Sequence, residues 1–201
     1  MTFVSRAGQK LDHALASFGL DVRGALCADL GCNVGGFTDC LLQRGAASVH
    51  AVDTAYGLLD WRLRNDPRVV VRERTNALHA APPPGGVDLV VIDLGWTPQR
   101  HAIPAALRWL RDSPLDERQP RIVSLIKPHY ERPRPGRGRE VEGGLADAEA
   151  DLILAEALAA MPALGVTVLG MVESPVRGGK SSRHGPGNRE FIALLRQSQN
   201  R

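Results

Sequence analysis

The chain has 201 residues, 43% of them hydrophobic, which is enough for one well-buried core and too few for two ordinary domains. Its net charge is only +3, and no stretch approaches the roughly eighteen unbroken apolar residues that a membrane span needs. The opening MTFVSRAGQK lacks the basic start and apolar run of a secretory signal, so a single soluble, cytoplasmic α/β domain over residues 1–201 is expected.

In chain order, Leu11, Ala14, Leu15 and Phe18 recur at helical spacing and stop at Gly19, predicting an amphipathic opening helix within residues 1–20. Short apolar runs at 25–30, 48–52, 69–72, 87–92, 121–126, 166–172 and 191–195 read as strands, with helical stretches near 37–44, 98–111 and 146–160. The alternation predicts a Rossmann-like fold, a mostly parallel seven-stranded sheet with helices on both faces. Ligands in such folds sit beyond the carboxyl ends of the strands. Cys27, Cys32 and Cys40 form an odd, clustered set with no histidine at zinc spacing and read as core-filling residues.

The first strand runs into Asp29-Leu-Gly-Cys-Asn-Val-Gly-Gly-Phe37, and a helix follows at once. Glycines allow a sharp bend and a close approach to ligand, and the helix start offers unpaired N–H groups. A dinucleotide enzyme needs glycine where Asn33 stands. The D-x-G-x-x-x-G pattern instead suits an adenosylmethionine enzyme, with Asp29, Gly31, Asn33, Gly35, Gly36 and Phe37 around the cofactor. Asp53 ends the second strand, where a carboxylate can accept both ribose hydroxyls of an adenosyl group. Asn76, after the third strand, can reach an adenine or simply form a turn. Asp93 and Lys127 end the fourth and fifth strands, at the same edge of the sheet.

The charge is unevenly spread. Residues 121–139 hold Arg121, Lys127, Arg132, Arg134, Arg137 and Arg139 against Glu131, a net of +5, and residues 174–190 hold Arg177, Lys180, Arg183 and Arg189 against Glu190, a net of +3. Both stretches contain polar connections, 128–144 and 174–189, that follow strands and belong at the ligand end. They favour a polyanionic partner, with phosphate contacts from these arginines or, alternatively, a solvated loop. Of the 25 basic residues only Lys10, Lys127 and Lys180 are lysine. A lysine kept in so arginine-rich a chain suits a place where only a compact, deprotonatable ammonium serves. Trp96 is placed to stack on a base, whereas Trp61 and Trp109 lie in helix-like segments and are expected in the core.

The runs VSRAGQKLDHAL, GCNVGGFTDCLLQRGAASVHAVDTAYGLLDWRLRNDPRVVVRERTNAL, VDLVVIDLGW, SLIKPHYE and GNREFIALL resemble, in order, the FtsJ-type methyltransferases, and within them the TlyA branch of ribosomal RNA ribose methyltransferases, also called haemolysins. The resemblance implies a class I methyltransferase fold, S-adenosyl-L-methionine as cofactor, RNA as partner and no metal. It also implies a Lys-Asp-Lys-Glu tetrad at Lys10, Asp93, Lys127 and Glu190, with Asp93 near the cofactor too and Arg6 among the RNA contacts. On that reading, repulsion from Lys10 and the cofactor's sulfonium lowers the proton affinity of Lys127 and lets it act as base. Typical TlyA proteins carry an amino-terminal S4 RNA-binding domain, and this chain opens on the methyltransferase segment; Leu94, Gly95 and Trp96 stand where the family often has Ser-Phe. The rival readings are a non-catalytic ribosome-assembly factor and a small-molecule methyltransferase, the latter disfavoured by the two basic loops.

Overall fold

The computed structural model describes residues 2–112, 119–132, 145–178 and 187–198. Its elements are α1 (Arg6–Ser17), β1 (Leu26–Leu30), α2 (Gly36–Gln43), β2 (Ser48–Val52), α3 (Trp61–Arg64), β3 (Val69–Arg72), β4 (Leu89–Ile92), α4 (Gln99–Leu107), β5 (Arg121–Ile126), α5 (Pro128–Glu131), α6 (Asp147–Ala160), a 3₁₀ turn (Met161–Leu164), β6 (Val166–Glu173) and β7 (Phe191–Gln197). The strands form one sheet in the order β3-β2-β1-β4-β5-β7-β6. The first five in that order are parallel, and β7 runs antiparallel between β5 and β6. This is the predicted Rossmann-like sheet.

Successive side chains of a strand point to opposite faces, and here each set feeds its own core. Leu89 and Val91 of β4 join Leu11 and Leu15 of α1 and Phe37 and Leu41 of α2 on one face. Val90 and Ile92 join Ile103, Trp109, Leu154 and Met161 on the other. Burying both faces explains why the strands read as continuous apolar runs rather than as alternating ones.

The opening helix begins earlier than the apolar spacing shows, because Ser5 caps it by accepting a hydrogen bond from the Ala7 N–H. The helix expected over 98–111 stops at Leu107. The Trp109 carbonyl accepts from the Val87 N–H and the Val87 carbonyl from the Arg111 N–H, so backbone that would extend the helix pairs with the start of the β4 segment instead. Two short helices were not anticipated: α3, and α5 inside the loop expected over 128–144. Among the described residues no helix is long and apolar enough to cross a membrane.

Candidate functional site

The glycine turn after β1 is built by close packing. Gly31 has φ +96, and a Cβ there would lie 2.6 Å from the Asp93 carbonyl oxygen. Gly35 has φ +99, and its Cβ would lie 2.3 Å from Leu63 Cδ1. Gly36 is needed for another reason: its Cβ would meet Ser5 Oγ at 2.2 Å and Ala7 Cβ at 2.8 Å, so only glycine lets the amino-terminal turn of α1 lie on that of α2. The two helix starts therefore converge on one cleft of about 440 Å³, lined by Ser5, Arg6, Ala7 and Lys10 from α1, by the turn from Gly31 to Phe37 except Gly35, and by Asp93, Arg177 and Gly178. Each helix start brings unpaired N–H groups and partial positive charge.

Asp29 supports this turn from beneath. Its Oδ2 accepts from the Thr38 N–H at 2.9 Å and from Thr38 Oγ1 at 2.7 Å, which caps α2 from inside the sheet. The side chain is 0% exposed and absent from the cleft wall, which corrects its expected place against the cofactor: it orders the turn rather than lining it. Burial pushes its carboxyl up to about 7, and Oδ1 has no hydrogen-bond partner among the described residues. Phe37 is likewise mainly core, 2% exposed, with one edge on the cleft.

Asp53 and Asp93 stand where their strands end. The Asp53 N–H donates to the Arg72 carbonyl and the Asp93 N–H to the Leu30 carbonyl, so the sheet fixes both carboxylates. The Asp53 oxygens accept from the N–H groups of Asn33 and Ala55, each at 2.8 Å, leaving a further lone pair on each. Asn33 adopts φ +50 to make that contact. Asn76 is exposed and its side-chain oxygen accepts from the Leu78 N–H, the turn-forming alternative of its two readings.

The four tetrad positions form two lysine–carboxylate pairs at the same sheet edge. Lys10 Nζ donates to Glu190 Oε2 at 2.5 Å, with both side chains buried. Gly178 covers that carboxylate so closely that a Cβ would fall 1.9 Å from Oε1. Lys127 Nζ donates to Asp93 Oδ1 and, at 3.5 Å, to the Leu94 carbonyl. Burial works against the Lys127 charge, but the Asp93 carboxylate, aided by Glu190, outweighs it and holds the ammonium above the ordinary lysine range. In the free protein, then, Lys127 holds its proton more tightly than an ordinary lysine, and Lys10, one of the two charges expected to repel it, is paired with Glu190. His129, desolvated and beside Lys127, is pushed down to about 4 and stays neutral.

Of the expected RNA contacts, Arg6 lies on the cleft rim. Arg132 pairs with Glu149, and Arg177 with Asp147 at 3.3 Å, both acids in the first turn of α6. Arg134, Arg137, Arg139, Lys180 and Arg183 lie outside the described residues. Trp96 is 59% exposed, in the left-handed region at φ +57, with its ring 4.7 Å from that of Tyr130. Trp109 is fully buried as expected, but Trp61 is 71% exposed. Leu63, two residues on, fills the core position against Gly35, which turns Trp61 outward. Sequence reasoning missed Ser5, Ala7, Val34 and Gly178 on the cleft, and Cys32, expected only as core filling, also touches it; of these only Ser5, a serine before a helical pattern, carried a signal.

Comparison with known proteins gives a consistent result. The family model for FtsJ-like methyltransferases matches residues 3–137. The Mycobacterium tuberculosis protein named 16S/23S rRNA (cytidine-2'-O)-methyltransferase TlyA is 41% identical over 204 residues, covering 99% of this chain and 70% of its own length. Hemolysin A of Brachyspira hyodysenteriae is 33% identical, covering 95% of this chain and 75% of its own. A solved Streptococcus thermophilus structure superposes with a TM-score of 0.85 at 33% identity, over 100% of this chain and 69% of that one.

Proposed function

The chain belongs to the FtsJ-like methyltransferase family, and from that premise we propose that it transfers a methyl group from S-adenosyl-L-methionine to a ribose 2'-hydroxyl of ribosomal RNA. The observation that carries this reading is that each of the two lysine–carboxylate pairs places one member, Lys10 and Asp93, on the wall of a cleft floored by two helix starts, with Glu190 and Lys127 bonded directly behind them. The residues fit the cofactor. The Gly31 turn leaves no room for a side chain between β1 and Asp93, Asp53 keeps acceptor capacity for ribose hydroxyls, and the N–H groups of α1 and α2 suit a carboxylate.

When bound, the cofactor supplies a methyl group already activated by a positively charged sulfur. The protein's task is to align a hydroxyl with it and to take up the proton. Asp93 holds the Lys127 amine in place, and Lys127 faces the hydroxyl. Because Asp93 raises the proton affinity of Lys127, the base form is scarce in the free enzyme; a positive charge brought beside Lys127 lowers that affinity and increases the base form. Glu190 holds Lys10, whose ammonium positions the ribose. Arg132 and Arg177 can exchange their exposed carboxylate partners for phosphates at little cost, since surface ion pairs are worth about 0–1 kcal/mol. Trp96 offers an exposed ring face on which a base can stack.

The test is transfer of labelled methyl from S-adenosyl-L-methionine to purified small and large ribosomal subunits, followed by mapping of ribose methylation. Transfer to a ribose 2'-hydroxyl of one or both subunits is expected. Tight binding to subunits without transfer would instead support a non-catalytic RNA-binding factor, and transfer to free nucleosides would support a small-molecule enzyme.

A further inference from the structure

The short helix α5 grips the β4–α4 connection at three points. Lys127, its cap, donates to the Asp93 carboxylate and the Leu94 carbonyl. Tyr130 lays its ring 4.7 Å from that of Trp96. Glu131 accepts the Gln99 N–H on both carboxylate oxygens, at 3.1 Å each, which satisfies the first donor of α4. Pro98, at the cap of α4, has no side-chain acceptor to do this. Gln99 is in turn fixed to the strand that leads to Lys127: its Nε2 donates to the Leu125 carbonyl at 3.2 Å, and Ser124 Oγ donates to its Oε1 at 2.7 Å. Gln99 and Ser124 are both buried. These bonds close a ring that runs from β5 through Lys127 and α5 to Glu131, across to Gln99, and back to β5.

We propose that Glu131 is a positioning residue for the Lys127–Asp93 pair, acting through Gln99 at the start of α4. The proposal rests on the methyl-transfer reading above. Glu131 does not line the cleft, and both of its carboxylate oxygens accept the Gln99 N–H. Its effect is geometric: Asp93 leads into α4 and Lys127 into α5, and the Glu131–Gln99 bond fixes the two segments to each other one turn away from the reacting pair. Loosening it leaves the Lys127 bonds to Asp93 and to the Leu94 carbonyl and the Tyr130–Trp96 ring pair, among the contacts of α5 described above, to hold the segments together.

The experiment compares wild type, Glu131→Ala and Glu131→Gln in single-turnover methyl transfer to ribosomal subunits across pH 6 to 10, with calorimetric binding of S-adenosyl-L-methionine and thermal melting alongside. A misplacement of about 1 Å at a distance from the chemistry can cost roughly 100-fold. Glu131→Ala is expected to lose about tenfold to 100-fold in rate at saturation, with cofactor affinity unchanged. Its rising pH limb should also move to lower pH. Lys127 is faced by Asp93, Glu190, Tyr130 and neutral His129, and a loosened Asp93 pair removes the largest influence that raises its proton affinity. Glu131→Gln, which keeps an acceptor for the Gln99 N–H, should restore most of the rate and the wild-type limb. A merely structural role would lower the melting temperature and leave the limb in place. An unmoved limb in Glu131→Ala overturns the proposal, whatever its rate. Should Glu131→Ala not fold, Gln99→Ala removes both side-chain bonds that return the ring to β5 and must itself shift the limb, failing which the proposal falls. A wild type that transfers no methyl refutes the underlying reading instead.

Discussion

Replacing Gly36 with alanine sets two effects of opposite sign against each other. Gly36 opens α2, and on helix propensity alone alanine stabilises by up to about 1 kcal/mol. The packing argues the other way. The new Cβ would lie 2.2 Å from Ser5 Oγ, 2.8 Å from Ala7 Cβ and 2.9 Å from the Gly8 nitrogen. Ser5 can rotate away at the cost of its cap, about 1 kcal/mol, but Ala7 Cβ and the Gly8 nitrogen are fixed to the backbone. Carbon atoms rest about 3.5–4.0 Å apart, so the first turn of α1 must retreat by about 0.7–1.2 Å. Overpacking of this kind costs about 1–3 kcal/mol. Packing wins, and the variant should melt lower, by about 2–4 °C for each net kcal/mol in a chain of this size. The larger effect falls on chemistry: Lys10 lies one turn along α1 and holds Glu190 at 2.5 Å. A retreat of that size should cost about tenfold to 100-fold in single-turnover methyl transfer. Wild-type melting with wild-type activity would refute the close-packed α1–α2 contact. Lower melting with full rate would refute a role for Lys10 in alignment.

Lys127→Arg keeps the charge and can still pair with Asp93, but it cannot release a proton, so turnover should fall roughly 100-fold or more while cofactor and RNA affinities hold; an active variant with the wild-type pH profile would move the base role elsewhere. Asp29→Asn tests the buried carboxyl. Burial raises Asp29 to about 7, above the roughly 3.9 of an unfolded chain, so between those values only the folded state holds the proton and the group's contribution to stability falls as pH rises. Urea unfolding at pH 5 and pH 7.5 should therefore show wild type losing more stability than Asp29→Asn over that interval, and equal losses would remove the buried-acid account. Replacing Arg132, Arg134, Arg137 and Arg139 together by serine should flatten the salt dependence of RNA binding, by about 0.7–0.9 in log–log slope for each phosphate that these arginines neutralise. An unchanged slope would make that loop merely solvated.

Much of the architecture was legible because burial of both sheet faces leaves uninterrupted apolar runs such as LVVI and RIVSLI, and because residues ending strands share an edge. That logic located Asp53, Asp93 and Lys127 from their places in the chain alone; Lys10 and Glu190 came from family resemblance. What stayed illegible depended on tertiary neighbours. Trp61 sits outside because Leu63 takes the inward position of a four-residue helix too short to show a period. Asp29 reads as a ligand residue beside Gly31, yet strand alternation turns it toward Thr38 of α2, on the covered face of the sheet. The protonation of Lys127 depends on its neighbours in space, Asp93 and Glu190, which lie 34 and 63 positions away in the chain. The role of Glu131 needed the Gln99 N–H, a backbone group that no side-chain pattern reveals.

The place of β7 bears on synthesis. A chain leaves the ribosome amino terminus first, at about 5–20 residues per second, and Lys10, Asp93 and Lys127 are all made well before Glu190. The strand that Glu190 introduces is also the one that joins β6 to β5, so without it β6 has no partner in the sheet. Until that strand emerges, Lys10 lacks its counterion and β5 presents an open edge. A nascent or prematurely terminated chain would therefore hold the glycine turn and three of the four tetrad residues while the fourth, and the strand that seats it, were still missing. On the proposed reading, competence for methyl transfer would then coincide with closure of the sheet by β7.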